Sequence, residues 1–367
     1  MVKIRIRAIG DIHMFKDINY MEEYMKDLYS FADKLDEDKI DMLVLNGDTL
    51  DAVFTKSDIR LVNAIKVINY IIEKCIKNNT IFCMLKGTNT HDGKIVSIIK
   101  EIYKNEELVN CFEDITYKTI NGIVFRFVPE LYYATYEEFK RDVFYMMADI
   151  TFFHGTVEGV IPQIKRHKDM TSLPNSVLIR KEDLMSKTRL FSAGSHIHEK
   201  IIIDNKIFYI NSYSSISFSD LNDKKGYVDF TVNLNMNSFL YEYKINHNSR
   251  DYVEYIFEIE NMDESTIKNK VAHIISNINK RVVRIKLKGQ KIDTYKKLLI
   301  EQLIKGYNIK IEIDKVIDKI EEKKIDTYYT KSEVSNIDKI QKIAKEEFSL
   351  ELDKKYIEDI VMKGPDV

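Results

Sequence analysis

The sequence has no tryptophan, 4 prolines and 3 cysteines, and no apolar run approaches the ~18 residues that a membrane-spanning helix needs. No membrane partner is therefore expected. The cysteines exclude a disulfide-stapled scaffold. Cys75, Cys83 and Cys111 are odd in number and form no CxxC pair, and Cys75 and Cys83 sit in apolar-periodic runs. Reduced core thiols in a cytoplasmic protein are the expectation. Net charge is also missing: 56 Lys and Arg against 58 Asp and Glu leave -2. Bulk charge thus does not mark a nucleic-acid binder, and any such surface must be a local basic patch. The opening MVKIRIRAIGDIH lacks the apolar core of a signal peptide and alternates apolar with basic residues, which predicts a strand.

Hydrophobic content of 44% and charged content of 31% describe a soluble globular chain rather than a disordered one, and 367 residues exceed one ordinary core. The first half alternates strands with helices. Strands are expected at Lys3 to Ile9, Met42 to Leu45 and Ile81 to Leu85. Helices are expected from Met21 to Leu35 and from about Ser57 to Ile76. This pattern predicts a layered α/β core with neighbouring parallel strands. From Thr116 the pattern turns to β. Asn121-Gly122 marks a hairpin between Tyr117 to Ile120 and Ile123 to Val128, and further strands follow through Ile245. Two facing sheets with helices outside fit this order. The boundaries drawn are 1–248 for the first domain, 249–314 for a small βαβαβ unit, and 315–367 for a linker and C-terminal helices. In the last of these, Val334, Ile337, Ile340, Ala344 and Phe348 form an apolar stripe.

Five short segments place metal-ligand side chains directly after expected strands: Gly10-Asp11-Ile12-His13, Gly47-Asp48, Gly87 to Asp92, His154-Gly155, and Gly194 to His198. Ligands of open α/β sheets gather at the carboxyl ends of strands, so these loops should converge. Residues two apart on an extended chain share a face, which lets Asp11 with His13, and His196 with His198, aim at one ion. The glycines allow tight turns near a cation. Mixed imidazole and oxygen donors suit Mn, Zn or Fe better than Mg or Ca alone. Of the 8 histidines, His13, His91, His154, His196 and His198 fall in these segments. Chance alone would scatter them more widely.

The ordered set GDIH, GDTLD, GTNTHD, FFHG and GSHIH resembles the calcineurin-like metallophosphoesterases over roughly Met1 to Phe230. The later stretch from Tyr209-Ile210-Asn211-Ser212 through Ser217-Phe218-Ser219-Asp220 to Lys225-Gly226 resembles the SbcD-type nucleases within that superfamily. The resemblance implies a four-layer α/β sandwich of two sheets flanked by helices, with a small α+β cap domain. It implies two divalent ions, most often Mn2+. Asp11, His13 and His198 would hold one ion. His154, His196 and Asn89 would hold the other, with Thr90 or a water as alternatives to Asn89. Asp48 would bridge them. His91 would act on the phosphate and leaving group without binding metal, and Asp92 would orient it or merely cap a helix.

The resemblance further implies a DNA exo- and endonuclease, working as a homodimer with a coiled-coil ATPase resembling SbcC that binds the C-terminal helices. The sequence departs from the family where a compact G-N-H-D is stretched to GTNTHD. Lys165, Arg166 and Lys168 form a basic cluster that would contact DNA phosphates or simply face solvent. A different phosphoesterase, or a scaffold without activity, stays as the alternative function.

Overall fold

The computed structural model describes residues 3–160, 177–221, 223–233, 235–278, 281–289 and 293–315. The expected basic cluster Lys165, Arg166 and Lys168 and the C-terminal helices lie outside the described residues. Met1–Asp314 forms one compact unit.

Strand β1 (Lys3–Ile9) is followed by helices α1 (Met21–Asp33) and α2 (Leu35–Asp38), then β2 (Met42–Asn46), α3 (Ile59–Lys77) and β3 (Ile81–Leu85). Asp58 caps α3 by accepting the Arg60 N–H at 2.9 Å, as an N-terminal aspartate does. A single short turn, α4 (Asn89–Asp92), leads into α5 (Ile95–Ile102) and β4 (Val109–Phe112). The hairpin of β5 (Thr116–Ile120) and β6 (Ile123–Val128) closes at Asn121 and Gly122, with φ of 50° and 79°. Positive φ at both positions is what a type I′ turn requires. Then come α6 (Tyr136–Val143), β7 (Ala148–His154), α7 (Lys181–Ser186), β8 (Thr188–Ser195), β9 (Ile201–Ile203) and β10 (Ile207–Tyr209). The pair β11 (Gly226–Asn233) and β12 (Ser238–Ile245) ends this part.

The strands build two six-stranded mixed sheets, ordered β12-β11-β1-β2-β3-β4 and β5-β6-β7-β8-β10-β9. Strands β1 to β4 run parallel in the first, and β6, β7, β8 and β10 run parallel in the second. Strand periodicity divides the side chains between layers. Met42 and Val44 join Ile6, Phe125, Phe127, Phe152 and Phe191 in a core between the sheets. Leu43 and Leu45 instead meet Leu28 and Phe31 of α1, Val67 and Ile71 of α3, and Ile99 of α5. Phe153 and Tyr209 pack outward against Phe139 and Val143 of α6 and Leu184 of α7. The layering is therefore helices, sheet, sheet, helices. Each buried phenylalanine of the central layer contributes roughly 1.5–3 kcal/mol.

A third sheet, β13 (Asp251–Glu258), β14 (Arg281–Gly289) and β15 (Ile309–Lys315), carries α8 (Glu264–Ser276) and α9 (Thr294–Leu303). Phe257, Val271, Val283, Ile285 and Ile300 give it its own core. It also touches the larger part. The Tyr252 hydroxyl donates to the Ile216 carbonyl at 2.9 Å, and the Arg284 guanidinium lies 4.4 Å from the centre of the Phe218 ring. Among the described residues no helix is long and apolar enough to cross a membrane.

Candidate metal centre

The carboxyl ends of β1, β2, β3, β7 and β8 meet where the edges of the two sheets approach. Asn46, at the end of β2, makes the join. Its amide donates to the Phe153 carbonyl and to Ser195 Oγ, both at 3.0 Å. Its own carbonyl takes a hydrogen bond from His154 Nδ1 at 3.0 Å. That bond fixes the imidazole tautomer and aims Nε2 inward. The glycines permit the close approach. A Cβ on Gly47 (φ 87°) would collide with His154 Nδ1, and one on Gly87 with the Asp48 backbone and carboxylate.

Two groups of side chains result, each with ligand atoms close enough to hold a metal ion: Asp11, His13 and His198, and Asp48, His154 and His196. Asp48 reaches both groups. Its Oδ2 lies 3.3 Å from His154 Nε2 and 3.9 Å from His13 Nε2. His13 Nε2 and His198 Nε2 stand 3.1 Å apart. A third group, His13, Asp51 and His91, adjoins the first. Among the described residues, His154 Nε2 and Glu130 Oε1 are buried without a hydrogen-bond partner, which costs free energy unless something else is coordinated there. Imidazole and carboxylate donors with such orphaned atoms fit a metal ion.

The backbone is strained at the same residues. Asp11, His13, Asp48 and His196 have φ of 45°, 47°, 48° and 97°. Left-handed conformations at non-glycine residues cost about 1–3 kcal/mol each and persist where surrounding structure enforces them. Asp11 is anchored in this state by accepting the His196 N–H at 2.9 and 3.0 Å on its two oxygens. Asp11 and His13 thus meet at one group although the chain between them is not extended. His196 and His198 are divided between the groups, because the turn at His196 breaks the two-residue alternation. A shared ion for that pair, expected from spacing alone, is not formed.

Burial pushes the Asp11 carboxyl up to about 7, helped by Asp48 and opposed by His154 and His13. For His154 burial works against protonation, but Asp48, Asp11 and Glu130 override it and raise the imidazole to about 10. His13 is likewise raised by Asp51, Asp48 and Asp11 against the effect of burial. His198 moves well down, through burial and then the charges of His13 and Lys225. The field of the four carboxylates Asp11, Asp48, Asp51 and Glu130 therefore falls unequally on His13, His154 and His198.

Around the groups, Asp92 has a different task from the expected one. Its carboxylate accepts the backbone N–H of Gly87, Asp48, Thr49 and Leu50 at 2.6, 3.1, 2.7 and 3.2 Å. It ties the β2 and β3 loops together rather than orienting His91. His91 is held instead by the Asp51 carbonyl, 2.5 Å from its Nδ1, and its ring stands edge-on to His13 with centroids 4.7 Å apart. Asn89 and Thr90 are exposed at the start of α4. Thr88, just before them, is buried. Its N–H donates to Asp48 Oδ1 at 2.6 Å and its hydroxyl to Glu130 Oε2 at 2.7 Å.

Glu130 and Lys225 were missed as site residues. Lys225, fully buried, pairs with Asp220 at 2.7 Å and donates to the His198 carbonyl at 2.6 Å. The Ser-Phe-Ser-Asp and Lys-Gly segments brace the His198 loop through this pairing in space.

No protein-family model matches the chain, and no curated protein matches it. A solved structure is similar over 66% of this chain and 99% of its own length, at 10% identity and a TM-score of 0.39. A likeness that weak carries nothing about function.

Proposed function

We propose that the chain is a two-metal phosphodiesterase of the calcineurin-like kind, and within it a manganese-dependent DNA nuclease resembling SbcD. The observation that carries this reading is the convergence of Asp11, His13, Asp48, His154, His196 and His198 into two adjoining ligand groups that Asp48 touches together. The helix–sheet–sheet–helix layering agrees with the sandwich implied by the resemblance. In this reading Asp11, His13 and His198 would hold one ion, His154 and His196 the other, and Asp48 would serve both. When bound, such ions supply a water acidic enough to attack at neutral pH and neutralise charge on the phosphate.

The chain's own residues do the rest. With Nδ1 donating to the Asp51 carbonyl, His91 presents Nε2, and as an imidazolium it donates that proton to the leaving oxygen. The bond to Asp51 keeps the ring oriented through the cycle. Asn46 and Lys225 hold His154 and the His198 loop against movement when ligands bind. DNA and a coiled-coil ATPase resembling SbcC are the partners proposed, with the chain acting as a homodimer.

The test is a manganese-dependent assay on linear duplex DNA, plasmid DNA and p-nitrophenyl phosphodiesters. Cleavage of duplex DNA is expected. Turnover of the small diesters alone would make the chain a different phosphoesterase, and no turnover of any substrate would leave a scaffold.

A further inference from the structure

We infer that Glu130 is a metal ligand of the Asp48–His154–His196 group, standing where the resemblance would place an amide. The inference rests on the metallophosphoesterase reading and changes its ligand set. The stretched segment Gly87 to Asp92 raises the question, because its Asn89 is exposed. Glu130 offers a donor from the chain just past the end of β6. Val128 of β6 lies opposite Phe153 of β7, so the chain two residues on runs past His154 at the same sheet edge. Pro129 ends the ladder, and the Glu130 N–H turns to the Lys86 carbonyl at 3.3 Å.

The carboxylate then points into the group. Glu130 is 6% exposed. Its Oε2 lies 3.9 Å from His154 Nε2 and 3.8 Å from His196 Nδ1. The Asp48 to His154 separation is 3.3 Å. Donor atoms ~2.0–2.2 Å from one ion stand roughly 2.9–4.3 Å apart, and each of these three separations falls in that range. Thr88 sets the orientation, since its hydroxyl donates to Glu130 Oε2 at 2.7 Å. The other oxygen, Oε1, is buried with no hydrogen-bond partner among the described residues. Desolvating a carboxylate is costly, and a cation held by Oε2 would offset that cost. Replacing a neutral amide with a carboxylate also adds one negative charge beside Asp48, which strengthens this position for a divalent cation.

The experiment is titration of the full chain, Glu130→Ala, Glu130→Gln and Asn89→Ala with Mn2+ by calorimetry, with free Mn2+ followed by electron paramagnetic resonance. The unmodified chain is expected to take up two ions. Glu130→Ala should lose one site or weaken it at least ten-fold while the other is unchanged. Glu130→Gln, which keeps the shape and one carbonyl donor, should fall between, and Asn89→Ala should bind as the unmodified chain does. If Glu130→Ala fails to fold, Glu130→Gln decides by the same isotherm. Unchanged binding in the Glu130 variants would overturn the inference and leave the phosphoesterase reading standing. Absence of Mn2+ binding by the unmodified chain would overturn both.

Discussion

At the scale of single residues, the centre is a set of buried acids and bases whose protons compete with a metal. Burial lifts Asp11 to about 7, so its carboxyl carries a proton below that pH. The surrounding carboxylates, against burial, hold His154 protonated to about 10. A metal must displace these protons, so its apparent affinity rises with pH. With His154 giving up one proton throughout, the expected loss of Mn2+ affinity from pH 8 to pH 6 is about 100-fold, and larger as Asp11 takes up its own. Calorimetry in buffers of different ionisation enthalpy would count the protons, and a flat profile with none released would contradict this account. His91 is a second case. If it serves only the leaving group, His91→Ala should lower duplex cleavage by about 10²–10⁴-fold while Mn2+ binding is retained. Joint loss of metal would instead place His91 among the ligands, with Asp51 and His13 as its partners.

At the scale of elements, the ligands are positioned by loops that depend on buried polar ties. Asp92 is 1% exposed and satisfies four backbone N–H groups from two loops. Asp92→Ala strands those donors, and each buried unsatisfied donor costs about 1–3 kcal/mol. Urea unfolding of the metal-free variant should show a loss of about 4 kcal/mol or more. A loss below about 1 kcal/mol would mean that water reaches the loops. Lys225→Met leaves Asp220 buried without its cation, a change that costs about 3–5 kcal/mol when a buried pair is broken. It should also weaken the Asp11–His13–His198 position more than the other, as read by Mn2+ titration, because Lys225 holds the His198 carbonyl. Equal weakening of both positions would make Lys225 a general stabiliser only.

At the scale of the whole molecule, Met1–Asp314 includes both the two large sheets and the small third sheet. The contacts of Tyr252 with Ile216 and of Arg284 with Phe218 join them. Residues 1–314 expressed alone should therefore melt in one cooperative transition and bind Mn2+ as the full chain does. Two separate transitions in calorimetry would show that the third sheet unfolds independently. Metal should stabilise this unit by about 2.7 kcal/mol at 100 times the dissociation constant. A melting temperature that rises with Mn2+ and returns with a chelator is the expected readout.

Strand order along the chain, the Asn121-Gly122 turn and the histidines after strands were legible because each is a local property. Periodicity of 2 or 3.6 records burial directly, and a turn with positive φ at both positions favours asparagine and glycine. The six residues of the two candidate groups were legible for the same reason: each ends a strand or follows one within a few residues. Glu130 was not, because it belongs to no local motif and reaches His154 only through the pairing of β6 with β7. The true task of Asp92, the exposure of Asn89 and the brace made by Lys225 were likewise settled by packing. The sequence determined which side chains are available at each strand end. Tertiary structure alone decided which of them face one another, because the separations that matter lie between residues far apart in the chain, such as His13 and His198 at 185 positions.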